Sequence, residues 1–357
     1  MTAPLTLTQY TFEGSPTEIG HGLGETLRDQ IKAFTEVRFA AVKRYAADRG
    51  RETVDGIMEI GAQCQQMYAQ WDPEGYAEHV AIAEGAGLAP LDLYVTTNMT
   101  DVRDVLLLSA GAEEEGCSSV LLPKGRTTTG EALVGQTWDL NPTDVEFIVG
   151  IHRKPTESPE TWSMTCTGCL TLIGMNSNGL AVGTTNIKVK GSRPGVCYLD
   201  ILHRMIRCPD AEAASAIVSN APRAGAHTYW IADAQQQLEW EASPLDAVKR
   251  VAGPGTVHRT NHCLVPTHVE AQGEQPGESS KARFARIEHL LGQGPMGFEG
   301  LKGLFADRAD GVLSVNRYPE DDQGTTTNGV FIAEPATKRL WACRGPADRA
   351  EWVSFSF

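Results

Sequence analysis

The chain has 357 residues, 41% of them apolar, enough for a globular core in one large domain or two of ordinary size. Its formal net charge of −14, with no Lys/Arg-dense stripe, repels polyphosphate backbones, so nucleic acid is not an expected partner. No basic leader followed by an apolar run is present and no uninterrupted apolar stretch is long enough to span a bilayer, which predicts a soluble, cytoplasmic chain with no membrane partner. The 8 cysteines are irregularly spaced and read as reduced thiols, each a small buried hydrophobe unless something marks it out.

The region before Cys117 reads as helical. Ser15-Pro16-Thr17-Glu18 combines an N-cap Ser, Pro at the first helical position and Glu three residues after the cap. Ile19, Leu23, Leu27, Ile31 and Phe34 then fall on one face. A second helix carries Val54, Ile57, Ile60, Cys64 and Met67 inward, a third opens at Asp72-Pro73 and ends in Gly85 and Gly87, and a fourth runs from Leu91 to Leu107. Gly20-His21-Gly22-Leu23-Gly24 has the look of a dinucleotide loop but follows no strand, so it reads as close helix packing.

After Cys117 the period changes to short strands and turns: Ser118–Leu122, a connection from Pro123 to Glu131, then Ala132–Leu140. Hairpins follow at Leu172–Val182, at Tyr229–Glu241 and at Val330–Cys343. Leu199–Arg207, Ala211–Ser219 and Ala282–Leu291 look helical, and the polar stretch Val265–Lys281 reads as a surface loop. Segregated strands and helices predict an α+β fold.

The change of period falls at Glu113-Glu114-Glu115-Gly116-Cys117-Ser118-Ser119, where an acidic tract meets a thiol at the start of a strand. Chance alone gives about one Gly-Cys pair at this composition, and Gly168-Cys169 is a second one, so the location carries the signal. A cysteine at a new amino terminus has a base built in, because a free α-amine titrates near ~7.7 to 8.0. The thiol can generate that amine by attacking the preceding carbonyl, and Gly116, lacking a Cβ, suits the distorted geometry this needs.

Several segments resemble the acyl-coenzyme A:isopenicillin N acyltransferase family of N-terminal-nucleophile hydrolases and, more distantly, choloylglycine hydrolases and penicillin V acylase. They are Ala83–Leu88, Gly116-Cys117-Ser118-Ser119, Gly135–Asp139, Gly174–Leu180, Tyr229–Asp233, Arg259–His262 and Ser280–Arg286, in that order over most of the chain. The resemblance implies a four-layer αββα sandwich, with residues 1–116 as a helical covering region that becomes an α-chain and residues 117–357 as the β-chain. It implies that Cys117 cleaves after Gly116 and then serves as nucleophile. Asp139 would hold the new α-amine, and Asn261 would donate to the oxyanion. Asn186 matches a second active-site asparagine of the choloylglycine branch. An arginine is expected to favour the thiolate, and Arg283 and Arg317 compete for that place. Gln136 stands where choloylglycine hydrolases carry an arginine, which makes bile salts a doubtful substrate.

Other signals are weaker. Cys166-Thr167-Gly168-Cys169 has the spacing of a zinc or redox pair, but no second pair accompanies it. His258 and His262 are four apart in a loop-like stretch, and His227 is a candidate separate base, each more simply a satisfied polar side chain. No metal or cofactor is called for. The expected activity is hydrolysis of a linear amide, a small molecule such as an N-acyl amine or an aminoacyl or β-alanyl amide. Acyl transfer from coenzyme A to an amine is the alternative, and an unprocessed binding protein is the alternative of another class. The α- and β-chains are expected to stay paired, with self-association of whole molecules left open.

Overall fold

The computed structural model describes residues 4–48, 54–107, 116–273 and 275–357. The expected acidic tract Glu113–Glu115 lies outside the described residues.

The chain opens with a strand, β1 (Gln9–Gly14), followed by α1 (Pro16–Thr26), α2 (Arg28–Asp48), α3 (Val54–Trp71), α4 (Pro73–Ala86), α5 (Pro90–Thr97) and α6 (Met99–Leu107). The Ser15 capping box forms: Ser15 Oγ accepts the Glu18 N–H at 3.3 Å and Glu18 Oε2 accepts the Ser15 N–H at 2.8 Å. The glycine-rich run in α1 is a close-packing surface. A Cβ on Gly20 would sit 2.5 Å from the Glu78 carbonyl oxygen, and one on Gly24 2.9 Å from the Ala86 nitrogen, so α1 and α4 meet backbone to backbone. Two expected helices are each broken in two, at Leu27 between α1 and α2 and at Asn98 between α5 and α6, because each of those residues leaves the helical backbone.

Beyond Cys117 come β2 (Ser118–Leu122), β3 (Leu133–Leu140), β4 (Ile148–Pro155), β5 (Thr161–Cys166), β6 (Ile173–Asn176) and β7 (Ala181–Asn186). Then follow α7 (Tyr198–Ile206), α8 (Ala211–Asn220), β8 (His227–Ala232), β9 (Gln237–Ala242), β10 (Ala247–Val251) and β11 (Val257–Arg259). The chain closes with α9 (Pro266–Glu270), α10 (Glu278–Leu291), α11 (Phe298–Phe305), β12 (Thr326–Glu334), β13 (Arg339–Arg344) and β14 (Trp352–Phe355). One sheet of 8 strands runs β1-β4-β5-β6-β7-β8-β9-β10, and one of 6 runs β11-β2-β3-β12-β13-β14.

Alternation along the strands stacks the layers. Val120, Leu122, Leu133, Val330 and Ile332 face Ile287, Leu291, Leu304 and Phe305 of α10 and α11. Leu121, Val134, Phe331 and Ala333 point the other way, into the core shared with the larger sheet. α7 and α8 cover that sheet's far side, with Asn176 of β6 donating to the Ile206 carbonyl at 2.8 Å. The result is the four-layer αββα arrangement.

The leading region is more than a helical cover. β1 joins the larger sheet parallel to β4, with Gln9 opposite Gly150 and Gly14 opposite Pro155. Alternating exposure along Gln9–Gly14 fits an edge strand. Buried charge pairs tie the same region to the rest of the chain: Arg153 Nε to Glu78 at 2.7 Å, Lys188 Nζ to Asp104 at 2.8 Å and Arg38 to Asp144 at 3.4 Å. The stretch Val265–Lys281, expected as loop, contains α9 and the first turn of α10, because Pro266 starts a short helix and the Glu278 segment packs Ser279, Ser280 and Arg283 inward. Among the described residues no helix is long and apolar enough to cross a membrane.

Candidate active site

Cys117 lies immediately before β2, a strand buried along its whole length. Ser118 pairs with Thr137 of β3, and carrying this antiparallel register two residues back sets Gly116 opposite Asp139. The Gly116 N–H reaches the Asp139 carbonyl at 3.4 Å. A Cβ on Gly116 would stand 3.0 Å from the Asp139 Cβ and 3.1 Å from its Oδ2, and would collide with Arg317 Nη1. The junction residue is therefore seated directly on a carboxylate and a guanidinium.

Asp139 is completely buried. Thr137 Oγ1 donates to its Oδ2 at 3.4 Å, and Oδ1 has no hydrogen-bond partner among the described residues. Burial pushes its carboxyl up to about 7, while the Arg283 and Arg317 charges pull the other way. On its other side, β12 carries a register irregularity between Thr327 and Gly329 opposite Asp139 and Trp138, the kind of bulge that re-aims side chains beside a site. Thr327 also holds the backbone of Arg317, whose N–H donates to Thr327 Oγ1 at 3.0 Å.

The two arginines expected as rivals are both present and both fully buried. Arg283, from α10, donates to the Cys117 carbonyl at 2.6 Å, to Ser118 Oγ at 2.9 Å and to Asn261 Oδ1 at 2.9 Å. Arg317 reaches the junction from the loop before β12. Asn261 is held twice more: its N–H donates to Ser280 Oγ at 2.9 Å and its Nδ2 to the Asn186 carbonyl at 3.0 Å. An amide nitrogen carries two protons, so one of the two on Nδ2 is not used by that contact.

A cavity of about 20 Å³ adjoins the thiol, lined among others by Cys117, Trp138, Asp139, Asn186, Tyr198 and His227. It has room for one water-sized group. A larger surface hollow, about 470 Å³, lies around Pro123 and Lys124 at the opposite end of β2. Gln136 is spent as a bridge between the sheets, its Oε1 accepting from the Thr184 N–H at 3.0 Å and from Trp230 Nε1 at 2.5 Å.

Of the weaker sequence signals, Cys166 and Cys169 close a buried turn at Gly168, whose φ of +80° only glycine adopts readily. His258 sits against the Phe284 ring and His262 within hydrogen-bond reach of Ser280 Oγ. No described group of three or more His, Cys, Asp or Glu side chains could hold a metal. Sequence reasoning did not find Thr100, which lines the same cavity from α6, nor Asp101, which pairs with His227. Neither stands in a motif.

Comparison with solved structures finds a variant of conjugated bile acid hydrolase from Clostridium perfringens, 14% identical with a TM-score of 0.46 over 68% of this chain and 97% of that one. Penicillin V acylase from Agrobacterium tumefaciens is 12% identical with a TM-score of 0.44 over 68% of this chain and 86% of that one. Among curated proteins, the acyl-coenzyme A:6-aminopenicillanic-acid-acyltransferase 40 kDa form of Emericella nidulans is 28% identical, covering 97% of this chain and 96% of that protein. The family model for acyl-coenzyme A:6-aminopenicillanic acid acyl-transferase matches residues 126–349, well over half of the sequence, and the chain belongs to that family.

Proposed function

We propose that the chain is a self-processing amidohydrolase in which Cys117, released as an amino terminus by cleavage after Gly116, attacks a linear amide. The observation that carries this reading is the seating of Gly116 on Asp139 and Arg317, beside a thiol that opens onto a cavity. An enzyme acting on carbon–nitrogen bonds is what membership of the family provides; the nucleophile and the processing are the additions.

In the first step Cys117 Sγ adds to the Gly116 carbonyl carbon, the C–N bond breaks, and Gly116 becomes a thioester while Cys117 acquires an α-amine. Water hydrolyses the thioester and leaves a Gly116 carboxylate. No α-amine exists before this cleavage, so the thiol proton needs another acceptor. Asp139, with its carboxyl near 7, is matched to neutral pH for that task. Afterwards its buried carboxylate would accept a hydrogen bond from the new α-amine and hold it beside the thiol. In turnover the α-amine takes the thiol proton, Sγ adds to the substrate carbonyl, and the oxyanion rests on the second Asn261 Nδ2 proton and a backbone N–H. The departing amine collects the proton from the α-ammonium, and water releases the acid from the thioester.

The space beside Cys117 is too small for an acyl group, so severing the 116–117 bond and drawing the Gly116 end aside would open the site. The two chains would remain together through β1 in the larger sheet and the buried Glu78–Arg153 and Asp104–Lys188 pairs, since parting them strands buried charges. A second reading, acyl transfer from coenzyme A to an amine, is favoured by the family match itself. Mass spectrometry should find fragments of roughly 12 and 26 kDa at ~110 Da per residue, and one intact chain for Cys117→Ala. Efficient cleavage of that variant would exclude Cys117 as the nucleophile. Offering the processed protein simple amides, against acyl-coenzyme A plus an amine, separates the two readings: rapid amide synthesis without hydrolysis establishes the transferase.

A further inference from the structure

Asp101 and His227 form a buried pair that the proposed chemistry leaves unused. His227 opens β8 opposite Asn186, is 1% exposed, and lines the Cys117 cavity. Its Nε2 lies 2.6 Å from Asp101 Oδ1, and the Tyr198 ring stacks on the imidazole with centroids 4.7 Å apart. The other Asp101 oxygen accepts the Tyr198 backbone N–H at 2.7 Å. Gly225 makes the space, since a Cβ there would run into Asp101 Oδ1. Asp101 therefore spends both oxygens as acceptors. A carboxylate can only accept, so in the neutral imidazole Nε2 carries the proton and Nδ1 presents the lone pair. That Nδ1 is buried and no described residue hydrogen-bonds to it. A buried acceptor left unmet is costly, which points to a guest that meets it.

We propose that His227 is a specificity-determining residue: its Nδ1 accepts a hydrogen bond from an N–H or O–H group of the substrate bound beside Cys117. The proposal rests on the amide-cleaving reading above. It assigns the substrate class as amides whose cavity-facing part carries a hydroxyl, amine or amide N–H, in preference to purely aliphatic ones. The cavity has space for one such group, and the rest of its wall includes the apolar Trp138, Leu140 and Leu172, so a single donor on an otherwise apolar guest is the match.

The test compares kcat/KM of processed protein on a pair of N-acyl amides that differ only in one hydroxyl, present or absent, on the acyl chain. The parent protein is expected to favour the hydroxylated partner about tenfold or more. His227→Gln keeps an N–H for Asp101 in place of Nε2 but has nothing at the Nδ1 position, so the ratio should collapse toward one. Asp101→Asn must keep its amide oxygen on the Tyr198 N–H, which turns its NH2 to His227. The imidazole then carries its proton on Nδ1, and the preference should shift to amides bearing an ether oxygen at the same position. Self-cleavage, read on a gel, verifies that each variant has folded. Equal cleavage of both amides by the parent protein, or a ratio that survives in either variant, overturns the proposal. A processed parent that cleaves no amide at all overturns the amide-cleaving reading and this inference with it.

Discussion

Replacing Asp139 by Asn, in a chain already carrying Cys117→Ala so that processing cannot intervene, isolates the cost of a buried carboxylate. Burial holds this carboxyl at about 7 against an ordinary 3.8. Between those values the folded chain keeps a proton that the unfolded chain has released, so folding weakens as pH rises, by about 1.4 kcal/mol per unit. The contribution of the protonated group is fully present below an unfolded value near 3.8 and is lost as pH climbs through about 7. Over a gap of roughly three units this amounts to about 4 kcal/mol. Asn is neutral throughout and nearly isosteric with the protonated acid. The double variant should therefore match Cys117→Ala near pH 4 and exceed it by up to about 4 kcal/mol near pH 7.5, with other titrating groups cancelling in the difference. Paired urea unfolding at several pH values measures it. A stability difference that stays constant from pH 4 to 8 would refute the argument that burial dominates at this carboxyl.

Two further substitutions test the close approaches. Gly116→Val places a side chain against Arg317 Nη1 and Asp139, and the displaced carbonyl should slow self-cleavage about tenfold or more. The decay of intact chain over time reads this, and an unchanged rate would mean that the seating of Gly116 is irrelevant to processing. Gly24→Ala drives a Cβ into the backbone of Ile82 and Ala86, where nothing can rotate away, and should cost about 1–3 kcal/mol. A variant melting at the parent temperature would show that α1 and α4 can separate without loss.

Sequence and structure agree where the physics is local. The capping box at Ser15 needs only four residues, and the hairpin of β2 and β3 needs one connection, which is why the cap and the pairing of those two strands were legible in the sequence, whereas the place of Asp139 beside the junction was implied by the family resemblance. The agreement ends where partners are distant. Tyr10 and Phe12 alternate with polar residues as an edge strand should, yet the pairing of β1 lies with β4, across the whole helical region. Arg283 and Arg317 were set against each other as alternatives, because sequence spacing cannot show that a helix and a loop converge on one carboxylate. The Asp101–His227 pair joins residues 126 apart in sequence, and no spacing rule connects them.

The helical character of the region before Cys117, the caps at Ser15 and Asp72, the main hairpins and the thiol at the head of a strand follow from the sequence alone, since propensity, capping and alternation act over a few residues. Tertiary structure decided how deeply Asp139 is buried, and so where it titrates. It also decided that two guanidiniums surround the Gly116–Cys117 junction and that a helix of the leading region supplies the carboxylate orienting His227. Those features depend on desolvation and on contacts between residues far apart in sequence, which are defined only once both sheets and their helices have packed.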